Sequence, residues 1–453
     1  MKSMIIKNIV AKGLLCCGAA VALTASFTSC RFEEDDYFNE SASLRVEHTN
    51  EAVKKILVNA PQGWVMQYYA NTGDEGFEGF NLFAKFEENG KVTMASNHRM
   101  LRDGNANKYT EASSLYEMLL EDGPVLAFNT WNDILTPFVD PVDPSSAPGT
   151  LVKDGAGMGG DHNFVIKSYN DNELILRGER YSAEIRLKKC ETSWEEYIAA
   201  TNEMKNYITN TSISNYYVIS GTDTLYMLSP RSGHFRIAER VNDPLRYHWV
   251  ACCYTPDGFR MEYQDTVGTS KFQEFTLAED KNSLQNEDGS VKVLACWDKY
   301  ILEKNTVSLL DQTAFSSEQQ SLYDQINAAL QKYNSVLSLG TIGIGKSSGT
   351  GAVRGLVITI YTNKQKTQKN TVGLSLDISS PSYGYARFIS STDDVMDNQM
   401  TMVSKNIPGF ESLVRAFAAT LNGTYEMIPD NYFLPKKVDF KSDNGGLPFT
   451  LIL

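Results

Sequence analysis

Phe80-Asn81-Leu82-Phe83-Ala84-Lys85-Phe86-Glu87-Glu88-Asn89-Gly90-Lys91-Val92-Thr93-Met94-Ala95-Ser96 is two extended runs separated by an Asx-Gly dipeptide. Aromatic and branched side chains favour a pleated surface, and Asn-Gly tolerates the positive φ angles that a type I′ turn demands, so the stretch predicts an antiparallel hairpin. Working outward, Trp64 to Tyr69 reads as a preceding strand. Asn163 to Ser168 and Glu173 to Gly178 form a second hairpin turning at Tyr169-Asn170-Asp171-Asn172, and Ser182 to Lys188 adds another strand. A short helix comes first: Ala52, Val53, Ile56 and Leu57 are helically spaced, with Asn50 as cap and Ala60-Pro61 as stop. Residues 49–190 therefore read as an N-terminal β domain.

Ser193 to Thr209 places Trp194, Tyr197, Ile198, Thr201, Met204, Tyr207 and Ile208 on one helical face and opens with a capping box, Ser193 and Glu196. This helix is expected between sheets. Strands then recur at 216–220, 224–228, 234–238, 248–254, 259–263 and 271–277, with Asp257-Gly258 as a turn. Residues 191–315 read as a helix plus a second β-rich module, which shares an aromatic-rich opening and an Asx-Gly hairpin with the first without a strict period to mark a repeat. Helices at 318–332 and 409–421, with strands at 355–362, 372–379, 400–403, 437–440 and 449–453, make 316–453 a C-terminal α+β module. The fold class is thus mainly β / α+β, antiparallel sheet modules with a few packing helices.

Residues 1–29 read as a lipoprotein signal peptide: Lys2, Lys7 and Lys12 precede an apolar run, Gly13 to Phe27, too short to span a bilayer. Thr28-Ser29-Cys30 resembles a bacterial lipobox, with Phe27 where leucine is usual, and implies acylation (palmitate among the chains) of Cys30. Glu33, Glu34, Asp35 and Asp36 resemble the acidic export signal of Bacteroidetes lipoproteins that face the medium, and residues 30–48 read as an acidic tether. Loss of the leader takes the formal charge from −13 to −16. Such a balance argues against nucleic acid and against an electrostatic grip on anionic lipid, so attachment to the outer membrane falls to the acyl chains.

Of the cysteines in the expected mature chain, Cys190, Cys252, Cys253 and Cys296 remain after lipidation of Cys30. Buried free thiols are expected, with one disulfide from Cys190 to a second-module cysteine as the alternative. Adjacent Cys252 and Cys253 face opposite sides of a strand, so at most one is expected in a core. No metal site is legible in the scattered His48, His98, His162, His234 and His248. Asp140, Asp143 and Asp154 in a long proline-containing connection lack the dense spacing of a calcium loop. Gly340-Thr341-Ile342-Gly343-Ile344-Gly345-Lys346-Ser347 matches a P-loop pattern, yet strand-like Gly355 to Ile360 follows where a helix is required. A glycine-rich hairpin without nucleotide is the expectation, and no cofactor is implied. Asp223-Thr224-Leu225 and Asp265-Thr266-Val267 look like short O-glycosylation sites.

Ala60-Pro61-Gln62-Gly63-Trp64, Tyr68-Tyr69, Gly79-Phe80-Asn81, Asn89 to Met94 and Gly159-Gly160-Asp161-His162-Asn163-Phe164 together resemble the Bacteroidetes lipoproteins classed as domain of unknown function 4302. That resemblance implies an accessory role beside a starch-utilisation-like pair, a TonB-dependent transporter and its substrate-binding lipoprotein, and supplies no catalytic residue. The expected function is non-catalytic capture of oligosaccharide or peptide at the cell surface. A surface hydrolase with unidentified carboxylates and an adhesin or structural protein are the alternatives. With 23 tyrosines available, aromatic platforms are the natural ligand contacts, and Trp131, Tyr383, Tyr385, Tyr68 and Tyr69 are the candidates.

Overall fold

The computed structural model describes residues 41–70, 78–121, 123–139, 159–182, 184–209, 213, 215–231, 234–238 and 247–453. Cys30, Glu33, Glu34, Asp35, Asp36, Asp140, Asp143 and Asp154 lie outside the described residues. Mainly antiparallel β structure is what the chain adopts, in three sheets.

The first sheet is a closed barrel of eight strands in sequence order. Its strands are β1 (Trp64–Tyr68), β2 (Phe80–Phe86), β3 (Lys91–Ser96) and β4 (Thr110–Leu120). β5 (Pro124–Phe128), β6 (Asn163–Tyr169), β7 (Glu173–Gly178) and β8 (Glu184–Lys189) complete it. β1 closes the ring by pairing with β2 on one side and β8 on the other. The β2–β3 hairpin forms as expected, with Phe86 opposite Val92, but its turn is not type I′. Gly90 has φ 85° while Asn89 does not turn left-handed, and the Gly90 N–H donates to the Glu87 carbonyl. Asn89 instead uses its side-chain oxygen to accept from the Lys91 N–H at 2.9 Å, a three-residue connection with glycine at the left-handed position.

Alternate residues of each strand fill the interior. Trp64, Met66, Tyr68, Leu82, Phe164, Leu174 and Leu187 are fully buried there. Helix α1 (Ala42–Val58) adds Val53 and Leu57 to this core, and its Leu57 carbonyl accepts from the Trp64 indole at 2.9 Å. The helix begins earlier than the sequence suggests because Ser41 caps it, so the tether is shorter than 30–48. The Gly159-Gly160-Asp161 motif is a structural clasp. Asp161 accepts the Arg180 and Tyr181 N–H groups, and its own backbone holds the Tyr68 hydroxyl. A Cβ on Gly160 would lie 2.7 Å from Phe138 Cβ.

Barrel 2 repeats the plan: β9 (Asn215–Ser220), β10 (Asp223–Arg231), β11 (His234–Ala238) and β12 (Tyr247–Tyr254) run into β13 (Gly258–Val267) and β14 (Ser270–Leu277). β15 (Leu284–Gln285) and β16 (Lys292–Ala295) bring the chain back to β9. The two barrels therefore share one strand order. Between them lies α2 (Trp194–Ile208), opened by the expected Ser193/Glu196 capping box. Its Trp194, Tyr197 and Ile198 cover Val65, Phe83 and Ala95 on the outside of barrel 1, while Ile208 joins the core of barrel 2.

The third sheet has nine strands in the order β20-β19-β18-β17-β25-β24-β23-β22-β21. These are β17 (Ser308–Leu310), β18 (Ser338–Lys346), β19 (Arg354–Tyr361), β20 (Lys369–Ser375) and β21 (Asp377–Ser379). β22 (Tyr385–Ile389), β23 (Gly423–Pro429), β24 (Lys437–Gly445) and β25 (Phe449–Ile452) complete the set. Its first strand starts at Ser308, ahead of the boundary expected at 316. Helix α3 (Trp297–Glu303) links barrel 2 to this unit, and α4 (Ser317–Tyr333), α5 (Asn398–Asn406) and α6 (Phe410–Ala419) cover the sheet. Residues 400–403, expected as a strand, are helical because Asp397 accepts the Met400 N–H at 2.7 Å and caps α5. The glycine-rich P-loop match lies in the β18–β19 hairpin, with Gly345 opposite Gly355.

All four cysteines are free and buried. Both Cys252 and Cys253 are enclosed, against the expectation of one: Cys252 points into barrel 2, and Cys253 points outward onto Tyr69 of barrel 1. A strand whose outer face meets a second barrel has no solvent side. The junction is further tied by Gly79 N–H to the Cys252 carbonyl (3.1 Å) and by the Tyr69 hydroxyl to the Arg260 carbonyl (3.0 Å). Asn81 donates to the Tyr254 carbonyl (2.8 Å), Arg260 pairs with Glu184, and Arg186 bridges Glu173 and Glu274.

A Cβ on Gly79 would sit 2.5 Å from Cys253 Sγ and 2.6 Å from Tyr69 Cε1. Gly79→Val is therefore expected to destabilise the protein by about 2 kcal/mol through forced displacement of the junction. Urea unfolding reads this as a lowered midpoint, and an unchanged midpoint contradicts the packing described.

Candidate functional site

The five aromatic candidates do not converge. Tyr68 is a core residue of barrel 1, its ring 5.1 Å from Phe138 and its hydroxyl engaged by the Asp161 backbone. Tyr69 is sealed in the junction. Trp131 is exposed on barrel 1 with the Arg102 guanidinium 5.3 Å over its ring. Tyr383 accepts from the Trp297 indole and donates to the Ala295 carbonyl, which makes it a strut between barrel 2 and the third unit, and Tyr385 begins β22. Tyr68, Tyr69 and Tyr383 engage their hydroxyls with protein groups, and the Trp131 indole N–H donates to Asp133.

A different place gathers ligand-competent groups. Where barrel 1, α2 and barrel 2 meet, a cleft of about 450 Å³ opens. Barrel 1 contributes Glu78 and Asn81 at the start of β2, with Ser96, Asn97, His98 and Arg99 at the end of β3. From α2 come Thr201, Asn202 and Lys205, and from β12 comes Tyr254. Asn81 Oδ1 and Thr201 Oγ1 are among the oxygens of this wall that are buried without a hydrogen-bond partner among the described residues. A buried polar atom left unmatched costs about 1–3 kcal/mol, so both favour a partner brought by a ligand or solvent.

Glu78 and Arg99 compensate each other, and Lys205 leaves the lining with one net positive charge among the described residues. Glu78 is the one carboxylate of the lining among the described residues, and it pairs with Arg99 at 2.6 Å. The Lys205 ammonium lies 5.5 Å over the Tyr254 ring, whose hydroxyl is held far above its ordinary pKa by burial. His98 braces the wall: Nε2 donates to the Ile134 carbonyl at 2.9 Å, and Nδ1 accepts the Met100 N–H at 3.2 Å. Burial lowers its pKa from 6.5 to about 4, so the ring is neutral and both nitrogens are engaged. The cleft can recognise a neutral polar molecule through amides and hydroxyls. Among the described residues it holds no pair of carboxylates flanking a bond, as glycoside hydrolysis needs.

Sequence reasoning missed this site. The available signal was Asn81, an amide inside the otherwise apolar run Phe80–Phe86, since asparagine is disfavoured in strands. Thr201 reads as part of the apolar face of its helix, although its hydroxyl is a buried, unmatched polar group in the cleft wall.

The family model described as Domain of unknown function (DUF4302) matches residues 34–279, and every lining residue named above lies in that span. No curated protein matches the chain. Among solved structures, a DNA polymerase III β sliding clamp from Bartonella birtlesii is 10% identical, covering 90% of this chain and 97% of that one, with a TM-score of 0.13. A sliding clamp from Pseudomonas aeruginosa is 8% identical, covering 89% and 97%, with a TM-score of 0.12. The β subunit from Borrelia burgdorferi is 11% identical, covering 91% and 97%, with a TM-score of 0.11. Likenesses at TM-scores this low carry no inference about this chain.

The His98 brace has a pH signature. Its folded pKa lies below the unfolded value, so below pH 6.5 the unfolded chain takes up a proton that the folded ring refuses. Stability falls as pH drops from 6.5 towards 4 and is unaffected by this group above 6.5. Between about pH 7 and pH 4.5 the wild type is expected to lose about 2–3 kcal/mol more than His98→Gln. Equal losses by urea unfolding contradict the assignment.

Proposed function

The chain belongs to the family described as a domain of unknown function (DUF4302), and on that premise we propose a non-catalytic lipoprotein of the outer membrane that faces the medium. It captures oligosaccharide or peptide for a TonB-dependent transporter and its substrate-binding lipoprotein. The leader pattern ending at Cys30 and the acidic Glu33-Glu34-Asp35-Asp36 support the location. No helix among the described residues is long and apolar enough to cross a membrane, and the acyl chains on Cys30 supply the anchor.

The observation that carries the binding reading is the amide- and hydroxyl-lined cleft with the unmatched oxygens of Asn81 and Thr201 in its wall. Planar amides pair with vicinal hydroxyls through both their donor and their acceptor, so the lining favours an oligosaccharide over a peptide. Its volume falls in the range of about 300–1,000 Å³ typical of small-ligand sites. Glu78 and Arg99 neutralise each other, and the Lys205 ammonium lies over the Tyr254 ring, so the hydrogen-bonding groups left for a ligand are amides and hydroxyls, which suits a sugar.

Two experiments test this. Cys30→Ala is expected to leave the protein outside the membrane fraction, and retention there contradicts lipid anchoring. On an array of neutral oligosaccharides and peptides, the full-length protein in detergent is expected to bind a neutral oligosaccharide. Asn97→Ala and Asn202→Ala should each weaken that binding by about threefold to tenfold, the worth of one net hydrogen bond. Preferential binding of peptides, or sugar affinity unchanged in both variants, contradicts the assignment.

A further inference from the structure

A second cleft, of about 420 Å³, opens between β9 and β10 of barrel 2 and helix α3. Helix α3 and the residue after it present Lys299, Tyr300 and Lys304 to it, and β10 presents Tyr226. The Lys299 ammonium donates to the Tyr226 hydroxyl at 3.4 Å and lies 5.6 Å over the Tyr217 ring. Tyr217 and Tyr226 stack obliquely, 5.2 Å apart, into an aromatic wall. The Lys304 ammonium lies 5.9 Å over the Tyr300 ring.

Among the described residues, neither lysine has a carboxylate within ion-pair distance. Asp298, next to Lys299 in sequence, turns inward and is 1% exposed, with one carboxylate oxygen accepting the Gly384 N–H at 3.2 Å. Glu303 also lines the cleft and is exposed. Lys304 is half-buried, and desolvation lowers its pKa, the mark of a cation short of a counter-charge. The neighbouring Cys296 thiol is pushed up to about 12 by burial, so it stays neutral and does not compete as an anion.

Two lysines against one exposed carboxylate leave this lining net positive inside a chain of formal charge −13, which is complementary to one localised negative group. The wider acidic field is screened beyond about 8 Å at physiological salt, so it opposes a long polyanion more than a single charge held in the cleft. The tyrosine rings add flat walls against which the C–H face of a sugar ring can lie, as aromatic side chains do for any stiff apolar face. We propose that this cleft binds a carboxylated sugar, a uronic-acid residue of a short oligosaccharide, with Lys299 and Lys304 holding the carboxylate and Tyr226 and Tyr300 walling the ring. The site shares no residue with the inter-barrel cleft, and its test reads separately.

The test is calorimetric titration of the full-length protein in detergent with trigalacturonate, with galactotriose as the neutral counterpart and with a glutamate-rich peptide. Trigalacturonate is expected to bind at least about tenfold more tightly than either, and more weakly as salt rises. Lys299→Gln and Lys304→Gln should each reduce that affinity about tenfold, while Asn202→Ala in the other cleft leaves it unchanged. Lys304→Arg keeps the charge and should retain most of the affinity, which separates lost charge from lost folding. Equal affinity for the two trisaccharides, an equal or tighter grip on the peptide, or acid binding indifferent to both glutamine variants overturns the proposal.

Discussion

Closure of the strands on themselves is the constraint from which the rest of this molecule follows. Because β1 pairs with both β2 and β8, and β9 with both β10 and β16, neither barrel offers an edge to which another sheet can be added. The units can meet only through side chains on their outer walls and through loops. Two convex walls do not pack flush, so the contact is a narrow seam of Tyr69, Ala251 and Cys253, tightened by the close approach of Gly79. Beside the seam the walls diverge, α2 fills part of the gap, and what it leaves is the inter-barrel cleft. A rigid scaffold thus holds polar groups from three elements around one space, with no barrel interior opened to hold a ligand.

That geometry explains how far the chain can be read without coordinates. Local signals held up: the hairpin around Asn89-Gly90, the Ser193/Glu196 capping box, and the glycine-rich 340–347 segment as a hairpin all depend on residues within a few positions of one another. β4 and β5 were not legible, since Thr110–Leu120 alternates exposed and half-buried residues with little apolar contrast. Residues 400–403 carry a strand-like Met-Thr-Met-Val, yet one carboxylate at Asp397 decides for a helix. The pairing of Cys252 and Cys253 with two different cores needed the second barrel, a contact invisible in the strand's own pattern.

The candidate site was the least legible part, and for a physical reason. Aromatic residues advertise themselves in a sequence, but in a closed barrel they are the natural filling, and Tyr68 and Tyr69 were drawn inward by it. The groups that line the cleft, Asn81, Asn97, Thr201 and Asn202, are ordinary polar residues until 100 or more positions of chain fold back to place them together. Only unmatched hydrogen-bonding oxygens distinguish them, and that property exists in the fold alone.

The central claim is that the cleft beside the seam between two edgeless barrels is a ligand site. Hydrogen–deuterium exchange of the full-length protein, with and without the neutral oligosaccharide that an array screen selects, tests it most directly. The account predicts slowed exchange in residues 78–81, 96–99 and 201–209 and little change in the third sheet. Protection confined to other surfaces, with these three segments unaffected, would contradict it.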